Sequence, residues 1–172
     1  YGFLKNKWTS SNHFMSSLDN FGFITADNSN GFLYDGRWSR SMKGPHHTVF
    51  LNILSSENKI SLKNSSLDVN LGFQSNLRLE DEGDNHISLN MLLSTFLWHV
   101  MWNKQLNSNT ELILSNNSQF ENNTNYGSRI IIPDANMMEG GFSAFIKSKK
   151  RKFVFETGIG FSVRNVHTFE TP

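Results

Sequence analysis

Apolar and polar residues alternate along several stretches of this chain, most regularly between residues 67 and 80. Every odd position from Leu67 to Leu79 is apolar except Ser75, and no even position from Asp68 to Glu80 carries a large apolar side chain. Because neighbouring residues of a β-strand point to opposite faces, this alternation predicts a strand with one apolar and one polar face. A strand of about 14 residues is longer than most globular strands and could cross a bilayer at a tilt.

Six further segments are predicted strands. Residues 153–164 alternate almost as regularly. Residues 87–102 begin with alternation and then become apolar on both faces, so a helix is the competing interpretation. We favour a strand because no helix capping box precedes the segment. The other predicted strands are 13–25, 47–56, 110–122 and 141–148. The predicted fold class is therefore all-β, with about seven antiparallel strands joined as sequential hairpins and almost no helix.

The predicted connections alternate in length along the chain. Segments 57–66, 103–109 and 148–152 are short, whereas 26–45 and 123–140 are long. Transmembrane β-barrels combine short periplasmic turns with long extracellular loops. A soluble β-sandwich has no general reason to place a long loop at every second connection. The pattern therefore predicts part of a transmembrane antiparallel β-barrel, with its apolar face on the convex, lipid-facing side and its polar face toward the lumen.

Composition agrees with this interpretation only when the pattern is considered. The chain has 172 residues, of which 37% are apolar, and its mean hydropathy of −0.42 suits a soluble protein. Barrel walls are also modest in average hydrophobicity, because polar lumen-facing residues alternate with apolar ones. A net charge of +1 gives no electrostatic reason to expect a nucleic-acid partner. The absence of cysteine excludes thiolate metal sites and cysteine nucleophiles.

Several landmarks of the sequence, in their order, resemble those of TonB-dependent receptor barrels. They are residues 44–47 (Gly-Pro-His-His), 71–80 (Leu-Gly-Phe-Gln-Ser-Asn-Leu-Arg-Leu-Glu), 125–136 and 158–164. Segment 125–136, which contains Ile-Pro-Asp, is similar to an extracellular loop of these receptors. It departs from the family at Ala135, where an aromatic residue is common. The later strand likewise lacks the Arg-Tyr-Asp character of the family, so the resemblance leaves the substrate open.

The resemblance implies both an architecture and a function. Receptors of this family have barrels of about 22 strands with a plug in the lumen, so residues 1–172 are expected to be a piece of the barrel domain. The plug and the barrel termini would lie outside it. The implied function is active uptake of a chelated metal, such as a siderophore complex, or of another nutrient across the outer membrane of a gram-negative bacterium. The implied partners are that substrate, outer-membrane lipid and lipopolysaccharide, and a TonB-type energy-coupling protein that acts through the plug.

Cationic and aromatic residues on the two predicted extracellular loops are the candidate ligand contacts. They are Arg37, Trp38, Arg40, His46 and Arg129. A guanidinium group can pair with an anionic chelate through two parallel hydrogen bonds, which gives this interpretation its chemistry. The competing interpretation is that these side chains are hydrated or contact anionic lipopolysaccharide.

No metal site, cofactor or enzymatic activity is expected. His46 and His47 are adjacent, and adjacent residues of a strand point to opposite faces, so the two rings cannot easily converge on one ion. The acidic segment 80–84 lacks calcium-loop spacing. No nucleophile elbow or zinc-protease motif occurs in the sequence. Two alternatives stay open, namely a soluble or secreted β-sandwich binding module and an outer-membrane barrel enzyme with active residues at its rim. Dependence on detergent separates the first of these from a membrane barrel.

Overall fold

The strands of this protein form one antiparallel sheet in chain order. The computed structural model describes residues 2–5, 7–22, 45–82 and 86–169, which contain eight strands. They are β1 (Gly2–Lys5), β2 (Trp8–Gly22), β3 (His46–Ser61), β4 (Ser65–Asp81), β5 (Ile87–Asn107), β6 (Thr110–Asn125), β7 (Ala135–Lys150) and β8 (Phe153–Thr168). Each strand pairs only with its neighbours in the chain, so the sheet is a continuous series of hairpins.

The structure confirms the predicted all-β fold with sequential antiparallel strands. Strands β2 to β8 are long, whereas β1 has four residues and was not predicted. Segment 87–102, for which a helix competed, lies within β5, the longest strand at 21 residues. Within the described ranges, no helix has the length and apolar character that crossing a membrane would require.

The predicted strand boundaries were too narrow. β3 continues to Ser61 instead of ending at residue 56, β7 begins at Ala135 instead of 141, and β2 begins at Trp8 instead of 13. The predicted end of β2, at residue 25, lies outside the described residues. The prediction stopped where apolar alternation stopped, whereas backbone pairing continues along polar residues because ladder hydrogen bonds require no apolar side chain.

The connections at the two ends of the sheet differ in length. At one end, named the turn end, residues 62–64, 108–109 and 151–152 join consecutive strands. Arg151 has a φ of 56°, which suits a two-residue hairpin turn. At the opposite end, named the loop end, the connections are 23–45, 82–86 and 126–134. The short turns and the longer connections are therefore segregated to opposite ends of the strands.

The register assigns every strand residue to one of two faces, because directly opposed residues of an antiparallel pair point to the same side. One row across the Leu67 face consists of Trp8, Ile60, Leu67, Trp102, Leu114, Ala144 and Ile159. The matching row on the Asp68 face consists of Thr9, Lys59, Asp68, Met101, Ser115, Ser143 and Gly160. The face that carries the first row is named the Leu67 face, and the face that carries the second row is named the Asp68 face.

Most of the exposed large apolar side chains carried by the strands lie on the Leu67 face. They include Phe14, Leu18, Leu54, Phe73, Phe96, Phe120, Met138, Phe142, Ile159, Phe161 and Val163. The smaller set on the Asp68 face includes Met15, Leu97, Phe145 and Val166. Among the described apolar residues only Leu89 and Met91 are buried. The described part of the chain thus forms a sheet without a packed core.

The sheet is open. β1 and β8 are its two edges, and within the described ranges they pair with β2 and β7 only. A two-sheet sandwich is not formed by these residues either, because all eight strands belong to the same sheet.

Candidate functional site

Two of the five predicted ligand contacts, His46 and Arg129, lie at the loop end of the sheet. Arg37, Trp38 and Arg40 lie outside the described residues, so the structure does not place them. His46 is the first residue of β3 and is paired in the sheet with Gly22 of β2 and Asp81 of β4. His46 is the first paired residue of β3, and this pairing holds its backbone beside Asp81, the last residue of β4.

Arg129 lies in the connection 126–134 at the same end of the sheet. Its guanidinium donates a hydrogen bond to Glu82 Oε1, and its Nη1 lies 3.6 Å from Glu80 Oε2. Because Asp81, the partner of His46, lies between these two carboxylates in the chain, the structure brings Arg129 and His46 to the same end of β4. The Arg129 side chain is still 49% exposed, so an anion approaching it would compete with two carboxylates that it already contacts.

The backbone of segment 126–129 follows the edge of β5 beyond the end of β6. Tyr126 N donates to Asn90 O at 2.7 Å, and Arg129 N donates to Ser88 O at 2.9 Å. At Gly127 an added Cβ would lie 2.3 Å from Ser88 O, so only glycine permits this close approach. The two hydrogen bonds hold Arg129 in place from its main chain and explain why its guanidinium reaches Glu80 and Glu82.

The sequence prediction that all of 123–140 forms a loop was wrong. β6 extends to Asn125 and β7 begins at Ala135, which leaves nine connecting residues, 126–134. The two ends of the predicted loop are paired instead, and Asn122 Nδ2 donates to Asn136 Oδ1 at 2.8 Å across the two strands. Cross-strand amide pairing of this kind satisfies polar side chains within a ladder.

Polar side chains fasten both ends of the connection 126–134. Asp134 Oδ1 accepts hydrogen bonds from the backbone N–H of Asn125 at 2.7 Å and from Asn125 Nδ2 at 2.6 Å. The buried Asn123 side chain donates to Ile132 O at 3.3 Å and to Pro133 O at 3.0 Å. These hydrogen bonds therefore hold the connection 126–134 against the ends of β6 and β7.

This construction exposes three consecutive apolar side chains. Ile130, Ile131 and Ile132 are 45%, 57% and 50% exposed. Arg129 was predicted as a ligand contact and the isoleucines beside it were not, although the three-residue apolar run within a polar segment was a signal for them. The loop end thus offers an apolar tip next to a cation held by two carboxylates.

The described residues of the loop end form no cluster of metal ligands. Across residues 2–5, 7–22, 45–82 and 86–169, no group of three or more His, Asp or Glu side chains is arranged to hold a metal ion. His46 and His47 are consecutive strand residues and therefore point to opposite faces of β3. Of the acidic segment considered for calcium, Asp84 lies outside the described residues.

The chain was compared with protein families, with curated proteins and with solved structures, and none of the three comparisons gives a match. The resemblance to TonB-dependent receptors therefore stays a prediction from the sequence.

Proposed function

We propose that this chain forms part of the wall of a transmembrane β-barrel in the outer membrane of a gram-negative bacterium, with its Leu67 face toward lipid. The observation that carries the proposal is the absence of charge from a broad band of that face in β2 to β8. From the row of Leu67 to the row of Leu79, the residues of β2 to β8 on this face include no Asp, Glu, Lys or Arg. The same surface exposes large apolar side chains, which hydrocarbon would solvate and water would not.

The Asp68 face carries the charge instead. Lys59 Nζ lies 3.8 Å from Asp68 Oδ1, and Arg164 Nη2 lies 2.6 Å from Glu139 Oε2. Arg78 and Glu57 lie on the same face, by their pairing with Val49 and Asn70. Such a division of charge between two faces fits a wall with a polar lumen on one side and lipid on the other.

The stagger of the hairpins supports a barrel in particular. Trp8, the first residue of β2, lies in the same row as Ile159, which is six residues beyond Phe153, the first residue of β8. Six residues span roughly 20 Å along a strand, and the six steps between β2 and β8 span roughly 29 Å across the sheet. Their ratio corresponds to a strand tilt of about 35°, within the range of transmembrane barrels.

A barrel that sits in lipid has to be closed, because an open strand edge would expose unpaired N–H and C=O groups to hydrocarbon. The proposal therefore includes further strands, beyond the eight described here, that pair with β1 and β8. This is consistent with the larger barrel of the receptor family that the sequence resembles.

The uptake function rests on that resemblance, and the loop end offers compatible chemistry. We propose that the complete receptor binds a chelated metal or another nutrient at the loop end, and that a TonB-type protein drives its release through a plug domain. Arg129 and the apolar tip at Ile130–Ile132 supply a cation and apolar contact area, the two features that an anionic chelate with organic ligands would use. The resemblance also places this end on the extracellular side.

The test uses the full-length protein that contains this chain. A barrel should fractionate with the outer membrane, require detergent for extraction, and migrate faster on an SDS gel before heating than after it. A soluble sandwich would dissolve without detergent, which would end the barrel proposal. Hydrolysis of acyl or peptide substrates by the purified protein would favour the enzyme alternative.

Binding of a panel of iron chelates then tests the receptor function. Arg129→Gln should weaken the binding of an anionic chelate about tenfold, because one charge-assisted hydrogen bond contributes roughly 1.5 kcal/mol. Lys63→Gln, a matched loss of one cation at the turn end, should leave binding unchanged. If no chelate binds, or if both variants bind as the wild type does, the chelate-receptor proposal is wrong while the barrel proposal stands.

A further inference from the structure

The turn between β7 and β8 is the most basic part of the described surface. Lys149, Lys150, Arg151 and Lys152 are consecutive and exposed, and are named the basic cluster. The ion pairs formed within the described residues include none of these four. The nearby carboxylate of Glu156 is already engaged by Lys147 at 2.7 Å. The cluster therefore presents net positive charge to its surroundings.

Exposed aromatic side chains adjoin this charge. Phe153 is 80% exposed and is paired in the ladder with Lys150, and Phe155 on the Leu67 face is 64% exposed. Cations beside exposed aromatic rings, at the end of an apolar face, are typical of a segment at the boundary between hydrocarbon and lipid head groups.

An apolar hollow lies farther along the same strands on the Leu67 face. It has a volume of about 590 Å³, and Val100, Trp102, Leu114, Phe142, Ile159 and Phe161 are among its lining residues. It forms where Ala144 leaves space between larger side chains of β6 and β8.

From these observations we propose that the β7–β8 hairpin binds an anionic phospholipid. Its phosphate group contacts the basic cluster, and one acyl chain runs past Phe155 into the hollow. The inference rests on the proposed lipid contact of the Leu67 face and deepens it by naming the lipid class and the place. It also accounts for the hollow, which would otherwise be an empty apolar depression.

The separation of the two features fits one leaflet. Phe153 and Ile159 are six residues apart in β8, which is roughly 20 Å along the strand, or about 16 Å of depth at the tilt of about 35°. Half of a hydrocarbon core about 30 Å thick is about 15 Å. With the basic cluster at the head groups, the hollow therefore lies near the ends of the acyl chains.

The sign of the charge selects the head group. Lys7 and Lys63 add further cations at the turn end, whereas Glu80, Glu82 and Asp134 lie at the loop end. Each basic residue close to an anionic membrane surface strengthens the interaction by roughly fivefold. A zwitterionic phospholipid would gain little from such a surface, so the occupant is an anionic one.

The experiment measures quenching of Trp102 fluorescence in the full-length protein reconstituted into vesicles. Phosphatidylglycerol or phosphatidylcholine with brominated acyl chains is added, and the signal of Trp102 is obtained as the difference between the wild type and Trp102→Phe. We expect brominated phosphatidylglycerol to quench Trp102 with a relative binding constant at least fivefold above that of brominated phosphatidylcholine. The double variant Lys150→Gln/Lys152→Gln, which includes the cluster residue that β7 carries on the Leu67 face, should reduce that preference to nearly one. Lys7→Gln/Lys63→Gln, which removes the same charge at the same end, should retain it.

Each of the other possible results would overturn one of the proposals. Equal quenching by the two lipids, or a preference that survives Lys150→Gln/Lys152→Gln, would overturn this inference while leaving the barrel intact. Loss of the preference in both double variants would show general attraction to the turn end and would also overturn it. Absence of quenching by either lipid would mean that Trp102 does not face lipid, and the proposed barrel orientation would fail as well. Arg151→Asn, which tolerates the positive φ at that position, provides a second variant that preserves the turn.

Discussion

Replacing Phe73 by arginine tests which face of the sheet meets lipid. Phe73 lies halfway between Leu67 and Leu79 on β4, so it marks the middle of the apolar band of that strand. Its ring is 41% exposed, and its partners in the ladder are Leu54 and Phe96. In a bilayer an arginine at this depth should destabilise the folded barrel by about 2–4 kcal/mol.

Two control variants distinguish the cost of placing a charge in lipid from other causes of destabilisation. Gln74→Arg introduces the same charge one residue away on the Asp68 face, where a polar lumen should limit the cost to about 0.5 kcal/mol. Leu79→Arg lies at the loop end of the same apolar band, where the cost should fall to about 0–1 kcal/mol. A packed protein core would show no such dependence on depth, because burial and not distance from the bilayer centre would set the cost.

The assay is equilibrium unfolding of the full-length protein in urea, with phosphatidylcholine vesicles present in both directions of the titration. Folding is followed by intrinsic fluorescence and by the heat-dependent shift on an SDS gel. The expected order of destabilisation is Phe73→Arg, then Leu79→Arg, then Gln74→Arg. If Phe73→Arg costs less than about 0.5 kcal/mol, or if Gln74→Arg costs as much, the assignment of the Leu67 face to lipid is refuted.

Two further predictions concern the connection 126–134. Gly127→Ala should destabilise the protein by about 1–3 kcal/mol and accelerate amide exchange at Tyr126 and Arg129, because the new methyl group would meet Ser88 O at 2.3 Å; Gly140→Ala, whose Cβ would lie 3.4 Å from Ser118 Oγ, is the control and should be close to neutral. Asp134→Ala should cost about 1–3 kcal/mol and expose the connection to proteolysis, because the backbone N–H of Asn125 loses its acceptor, whereas Asp134→Asn keeps an oxygen there and should restore most of the protection. Equal exchange rates in the two glycine variants, or equal proteolysis of the two Asp134 variants, would contradict these assignments.

The faces of the sheet could be predicted from the sequence because they depend on a local property. The alternation from residue 67 to 80 determines which residues of β4 share a side, and the short turn 62–64 sets the register of β3 beside it. The central segment of β5 was harder, since apolar residues on both faces also suit a buried helix. Its pairing with β4 and β6 along nearly its whole length decides for the strand.

The loop end could not be predicted to the same extent because it depends on contacts between residues distant in sequence. Arg129 contacts Glu82, which is 47 positions earlier, and segment 126–129 follows the edge of β5. Nothing in the local pattern of 123–140 indicates either contact. The same limit applies to the Asn-rich stretch, where composition favours a turn and the cross-strand hydrogen bond of Asn122 with Asn136 stabilises a ladder.

Several polar residues on the Leu67 face are hydrogen-bonded within the sheet, which lowers the cost of the lipid contact proposed for it; the buried Asn90 Oδ1, in the row of Leu79 at the loop end, is an exception. Asn116 accepts from Trp98 Nε1 at 3.0 Å and donates to Gly141 O at 2.9 Å, and Asn58 accepts from Trp8 Nε1 at 3.3 Å. A polar group in hydrocarbon is costly mainly when it lacks a partner, and these amides have theirs within the sheet. Each tryptophan thus presents an apolar ring to its surroundings, and its indole N–H donates a hydrogen bond to a neighbouring amide. Interrupted alternation in β2, β3 and β6 is therefore compatible with a continuous lipid-facing surface, since what the bilayer requires is satisfied polar groups and the absence of charge.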